Sequence, residues 1–211
     1  MEKSFRKDLA HLPWAEVYAR QEKRAHLVDA WMDALRLKRG DRVLEVGAGP
    51  GYVSMVLADR VGPEGVVFAV DKSAQALACL ERLQKERALS QIRRIVADAA
   101  ALAPSSFSVH SALIAMVLHH AEDPVGILRS VARLLPPEAV AVVAEFHPKG
   151  PCEQGPPPEH RIDPEQLRAW CENAGLAVLE YRRQSPEHYM ALVQRASSMA
   201  HSGKLPREQR S

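Results

Sequence analysis

Val43-Leu44-Glu45-Val46-Gly47-Ala48-Gly49-Pro50-Gly51 sets a short apolar run directly against three alternating glycines. A second apolar run, Val66 to Val70, ends in the carboxylate of Asp71. Bare backbone at the end of one strand and an acid at the end of the next are how the edge of a parallel sheet holds a nucleoside-containing cofactor. Glu45 adds a second signal, because an acid inside an otherwise apolar strand needs a reason for its burial.

Working outward, strand and helix patterns alternate. Pro13 to Leu37 carries apolar residues at helical spacing, including Trp14, Val17, Tyr18, Leu27, Val28 and Trp31. Arg42 to Val46 reads as a buried strand, Gly51 to Arg60 as a helix, and Val66 to Val70 as the second strand. Ser73 caps a helix reaching about Leu89. Ile92 to Ala97 and Ser111 to Val117 are further strands. Asp123-Pro124 opens a helix to about Leu135, and Ala139 to Phe146 is the fifth strand. Asp163-Pro164-Glu165-Gln166 opens the last helix, with Gln166 placed to complete a capping box. Leu176 to Tyr181 and His188 to Val193 are too close for a helix between them and should pair antiparallel. The fold class is therefore α/β: a mostly parallel sheet with helices on both faces and an antiparallel C-terminal pair.

With 211 residues, 46% hydrophobic and 26% charged, the chain suits one ordinary globular domain. Residues 1–196 form that domain, with 1–40 as an N-terminal helical lid and 41–196 as the core; 197–211 is a polar tail expected to be flexible. A net charge of +2 argues neither for nor against an acidic partner, and Arg93-Arg94 and Arg182-Arg183 read as solvated strand ends rather than a nucleic-acid stripe. Cys79, Cys152 and Cys171 do not read as a disulfide framework, and the longest apolar run is too short to span a bilayer. The expectation is a cytoplasmic protein with reduced thiols. A homodimer is compatible with the sequence but not required by it.

Glu45-x-Gly47-x-Gly49-x-Gly51, Asp71, Asp98 and a strand ending near His119 resemble the class I S-adenosylmethionine-dependent methyltransferases. The resemblance runs from about Pro13 to Arg195. It implies a Rossmann-like sheet of seven strands, S-adenosyl-L-methionine as cofactor and S-adenosyl-L-homocysteine as product. It also implies roles. Glu45 would support the glycine loop and the amino end of the cofactor. Gly47, Ala48, Gly49 and Gly51 would bring backbone against it, with the helix start at Tyr52 facing its carboxylate. Asp71 would accept from both ribose hydroxyls, and Lys72 would pack the adenine. Asp98 and the Ala99 N–H would meet the adenine edge, with Met116 and Val117 lining the other side. Asp98 reads equally well as a helix cap.

His119-His120 follows the fourth strand, at the edge where ligands bind. The resemblance narrows here to a subgroup like the quinone-ring methyltransferases. His119 could take the proton lost by the methyl acceptor or simply orient its loop, while His120 should face solvent. Trp14, Tyr18 and Tyr52 are lid candidates with core packing as the plainer reading, and His147 belongs to the long loop that also holds Cys152 and His160. No ligand spacing supports a metal there.

The resulting expectation is in-line methyl transfer to a small-molecule acceptor. A non-catalytic cofactor-binding protein would look identical. An NAD(P)-dependent oxidoreductase is disfavoured by the glycine spacing and by the absence of Tyr-x-x-x-Lys. A nucleic-acid methyltransferase is disfavoured because Met116 to His119 stands where an Asn/Asp-Pro-Pro-aromatic signature would be needed.

Overall fold

The computed structural model describes residues 9, 11–103, 107–151 and 155–196. The expected tail, Cys152 and residues 1–8 of the expected lid lie outside the described residues. Around the opening motif, β1 (Arg42–Val46) runs into the glycines and α3 (Tyr52–Val61) leaves them. Then come β2 (Val66–Asp71), α4 (Ala74–Glu86), β3 (Ile92–Val96), β4 (Ser111–Ala115), α5 (Pro124–Leu134) and β5 (Val140–Phe146). The chain closes with α6 (Pro164–Asn173), β6 (Leu176–Arg183) and β7 (His188–Arg195). The expected N-terminal helical stretch is two helices, α1 (Trp14–Glu22) and α2 (Ala25–Leu35), because the backbone leaves helical geometry at Arg24 (φ −95°, ψ 12°).

The seven strands form one sheet in the order β3-β2-β1-β4-β5-β7-β6. The first five are parallel; β7 runs antiparallel to both β5 and β6. Alternating residues go to opposite layers. Val43, Val67, Leu113 and Val142 pack with α2, α3 and α4, whereas Leu44, Val70, Ile114 and Val143 pack with α5 and α6. Helix starts match their sequence signals. Ser73 accepts from the Ala76 N–H, Asp123 from Gly126 and Asp163 from Glu165, each cap contributing about 1 kcal/mol.

The order changes direction beside β1: β2 and β3 lie to one side, β4 and β5 to the other. The connections therefore diverge there and open a crevice at the C-terminal ends of β1 and β4. Because β7 is reversed, its first residue, His188, stands opposite Phe146 at this same edge.

Candidate active site

The glycine loop is shaped by close approach. A side chain at Gly47 would put its Cβ 2.3 Å from Val117 Cγ2, so only glycine lets the loop cross the β1–β4 crevice. Gly51 has φ +102°, and its Cβ would lie 2.4 Å from Leu80 Cδ1. The Gly47 and Ala48 N–H groups donate to the Val70 carbonyl at 2.8 and 3.0 Å, tying the loop to β2.

Asp71 sits inside this frame. One carboxylate oxygen accepts from the Gly49 N–H and the other from the Ser73 N–H, both at 2.8 Å. Burial raises its pKa, opposed by those two hydrogen bonds and by Lys72. Each oxygen keeps acceptor capacity beyond its backbone partner, so the pair is oriented and still able to take two hydroxyls.

Glu45 is 4% exposed and projects to the α3 layer, where the Ser54 hydroxyl donates to it. Burial pushes its carboxyl up to about 7; Ser54 opposes the shift and Asp71 adds to it. Among described residues no cation pairs with it.

Gln21 of α1 is a residue that sequence reasoning missed. Its Nε2 donates to the Ala48 carbonyl at 3.3 Å, and its Oε1 accepts from the Tyr52 N–H at 3.2 Å. It thereby caps α3 and straps α1 to the loop. Tyr18 meets Tyr52 edge-on at 5.7 Å, and Trp14 is half-buried on the same helix.

The Ala97 N–H donates to the Asp71 carbonyl at 3.1 Å, which carries Asp98 toward the same edge. The Asp98 side chain is exposed and caps a 3-10 turn at Ala99–Ala101, accepting from the Ala100 N–H at 2.9 Å; Ala99 is buried. Lys72 is exposed.

Across the crevice, β4 ends at Ala115, two residues earlier than its expected end. Met116 adopts φ 58°, a left-handed conformation that costs a side-chain-bearing residue about 1–2 kcal/mol. That turn aims the Val117 and Leu118 N–H groups at Glu145 Oε1, at 3.1 and 2.8 Å. His119 Nδ1 lies 2.6 Å from Glu145 Oε2, and both side chains are essentially fully buried. Burial works against a charge on Glu145, but attraction to His119, with His120 and the Leu118 N–H assisting, holds its pKa below the usual range. An ionised Glu145 is acceptor-only, so His119 Nδ1 is the donor and Nε2 is the ring nitrogen turned away from the carboxylate. Glu145 too was missed: it is an acid inside the apolar run Ala139 to Phe146, the same signal that singled out Glu45.

His120 is half-buried, where solvent exposure was expected, because the 3-10 turn Leu118–His120 sets its ring 4.1 Å from that of His119, tilted by 43°. His147 is buried; its Nδ1 accepts from the Lys149 N–H, and its backbone N–H donates to the Glu187 carbonyl. The long loop around it is gathered by Arg161, which donates to the carbonyls of His147, Pro151 and Pro156 and to Glu187 Oε1 at 3.3 Å. Among the described residues no group of three His, Cys, Asp or Glu side chains is arranged to hold a metal, and no helix is long and apolar enough to cross a membrane.

The structure thus gathers Glu45, the glycines, Tyr52 and Asp71 into one cluster. Met116 to His120 stands across the crevice, and Trp14 and Tyr18 belong to the helix strapped over the loop. A methyltransferase domain family matches residues 37–200. A protein-L-isoaspartate O-methyltransferase of Ignicoccus hospitalis is 49% identical over 47 residues, 22% of each chain. A ubiquinone biosynthesis O-methyltransferase of Xanthomonas euvesicatoria is 31% identical over 159 residues, covering 66% of this chain and 64% of that one. The chain thus matches less than two thirds of the length of these curated relatives. Among solved structures, a SAM-dependent methyltransferase from Aquifex aeolicus superposes with a TM-score of 0.78 at 20% identity, over 88% of this chain and 100% of that one. At that identity the likeness is one of fold.

Proposed function

We propose, for a chain that belongs to the methyltransferase domain family, that it transfers the methyl of S-adenosyl-L-methionine in line to a small-molecule acceptor, leaving S-adenosyl-L-homocysteine. The observation that carries this reading is Asp71, a half-buried carboxylate held by two backbone donors inside a loop that admits no side chains at Gly47 and Gly51. The cofactor supplies a methyl group already made electrophilic by the sulfonium.

The residues divide the remaining work. Asp71 accepts from the ribose hydroxyls with its unused lone pairs. Glu45 faces the amino end, and its raised pKa marks a carboxylate lacking a cation. Gly47, Ala48, Gly49 and Gly51 let backbone pass close, while the α3 N-terminus at Tyr52 offers N–H groups to a carboxylate. Lys72, Asp98 and Ala99 flank the adenine, and Met116 and Val117 close the opposite wall. Residues of α1 and α2, with Trp14 and Tyr18 toward the loop, act as the lid that excludes water and holds the acceptor in line. His119, oriented by Glu145, takes the acceptor's proton on Nε2; His120 and His147 border the acceptor. The quinone-ring-like subgroup is supported by this histidine placement and by the match to the ubiquinone pathway enzyme.

Calorimetric titration with S-adenosylhomocysteine and separately with NADH tests the cofactor. Binding of the first is expected; binding of NADH alone would overturn the reading. For the base, His119→Ala should keep S-adenosylhomocysteine affinity and slow methyl transfer from radiolabelled cofactor to hydroxylated quinone-ring compounds by about 100-fold or more. Unchanged transfer would return His119 to a purely structural role.

A further inference from the structure

We infer that Arg24 and His188 together anchor an oxyanion, so that the methyl acceptor of this enzyme carries a carboxylate. This deepens the methyltransferase reading and rests on it.

The argument begins with a tautomer. The Ser185 hydroxyl oxygen accepts from the Glu187 N–H and from the His188 N–H, both at 3.1 Å. A hydroxyl has two lone pairs and one proton. Both lone pairs are taken, so the contact of 2.9 Å to His188 Nδ1 must be the hydroxyl donating. Nδ1 is then an acceptor, and in the neutral ring the proton resides on Nε2. Burial, followed by the charge of Arg24, pushes the His188 pKa down to about 4, so the ring is neutral at pH 7. His188 is 5% exposed, and its Nε2 is buried with no hydrogen-bond partner. The result is a buried N–H donor with nothing to donate to, which native structures avoid.

Arg24, half-buried, supplies a second donor group. It stands at the break between α1 and α2, with its guanidinium carbon 5.8 Å from the centroid of the Phe146 ring. Its backbone N–H donates to the Gln21 carbonyl at 3.0 Å, but among the described residues its guanidinium makes neither a hydrogen bond nor an ion pair within 4.0 Å. Glu145 attracts it through space but is already committed to His119, Val117 and Leu118. Arg161, also against Phe146 at 5.3 Å, has its donors on backbone carbonyls and Glu187. Phe146 and His188 are register partners whose alternation sends both to the α2 layer, and their rings lie 4.8 Å apart.

Arg24 and His188 thus both flank Phe146 at the C-terminal edge, close enough for Arg24's charge to act on His188, and the His119 ring meets the same Phe146 at 5.5 Å. Around them, His26 and Arg20 add positive or neutral groups, and Glu187 is held by Arg161. Two donor groups without acceptors call for a ligand that only accepts. A carboxylate fits, since a guanidinium and an imidazole N–H can take its two oxygens.

The test uses the full chain, labelled with nitrogen-15, with and without S-adenosylhomocysteine. Two-bond proton–nitrogen spectra, assigned by loss of the His188 signals in His188→Phe, report the ring. Acetate is titrated at constant ionic strength, with acetamide as the neutral isostere. His188 should carry its proton on Nε2. Acetate should shift that nitrogen saturably, at concentrations about tenfold below any effect of acetamide, and Arg24→Met should abolish the response. A proton on Nδ1, a response equal for acetate and acetamide, or a full response in Arg24→Met would each overturn the proposal. The wild-type arms need no variant to fold. Failure of S-adenosylhomocysteine to bind wild-type protein would overturn the methyltransferase reading instead, and the acetate arm without it would still decide the anion site.

Discussion

Glu45 and Glu145 hold matching places in two strands of one sheet. Each is the last residue but one of its strand, and each is buried, at 4% and 0% exposure. They point to opposite layers, Glu45 toward α3 and Glu145 toward the α5 side. Burial raises the cost of charge at both, yet their ionisation diverges: Glu45 is pushed up to about 7, whereas Glu145 is held below the ordinary range. The difference lies in their partners. Glu45 has one hydroxyl, while Glu145 has two backbone N–H groups and an imidazole. One acid has three donors built into the fold; the other has a single hydroxyl among the described residues.

The largest effect should follow from removing the internally paired acid. Glu145→Ala strands His119 and two N–H groups in a dry place and should cost about 3–5 kcal/mol in urea unfolding. A loss below about 1 kcal/mol would mean that water or a shifted side chain replaces the carboxylate, and the contrast between the two acids would weaken. Next is Asp71→Ala, which leaves the sheet intact but removes a charged acceptor from the proposed ribose site. S-adenosylhomocysteine affinity should fall by about 1.5–3 kcal/mol by calorimetry; unchanged affinity in a folded variant would remove Asp71 from the site.

The smallest effect on stability, and the sharpest on pH dependence, belongs to Glu45. Its folded pKa lies above the ordinary carboxylate value of 4.5, so its contribution to stability is complete below that value and is lost as pH rises through about 7. A cation arriving beside it favours the ionised form. Binding of the cationic cofactor should then release a proton, and affinity should rise with pH between about 5 and 7. Calorimetry in buffers of different ionisation enthalpy measures that proton. Glu45→Gln should abolish its release while changing unfolding free energy by less than about 1 kcal/mol. Heats that do not depend on buffer in the wild type would refute the idea of an acid awaiting its cation.

These contrasts mark what a linear sequence carries. The sheet, its antiparallel close and the clustering of Glu45, the glycines and Asp71 were legible because glycine spacing, apolar runs and caps are local signals. The acceptor side was not. Glu145 shows the same acid-in-strand pattern as Glu45, but its meaning depends on His119 from beyond another strand. Gln21 and Arg24 looked like ordinary polar helix residues, and only the break at Arg24 and the docking of α1 bring them to the edge. His188 looked like the first residue of a strand. Its tautomer follows from a serine three positions earlier whose hydroxyl is filled by backbone donors.

The reversal of β7 has an evolutionary consequence. Had that strand run parallel, the active edge would receive its last residue, and the chain would then have to leave by a crossover. Running backward, it delivers a hairpin connection instead, Gln184 to Glu187, pinned to α2 because Gln184 accepts from the Trp31 indole N–H and donates to the Leu27 carbonyl. Hairpin connections accept insertions and exchanges at little cost to the strands beside them. This part of the edge can therefore be rewritten by lengthening one turn, while the glycine loop, encoded more than a hundred residues earlier, stays as it is. A lineage built on this sheet can vary one side of the edge without disturbing the other.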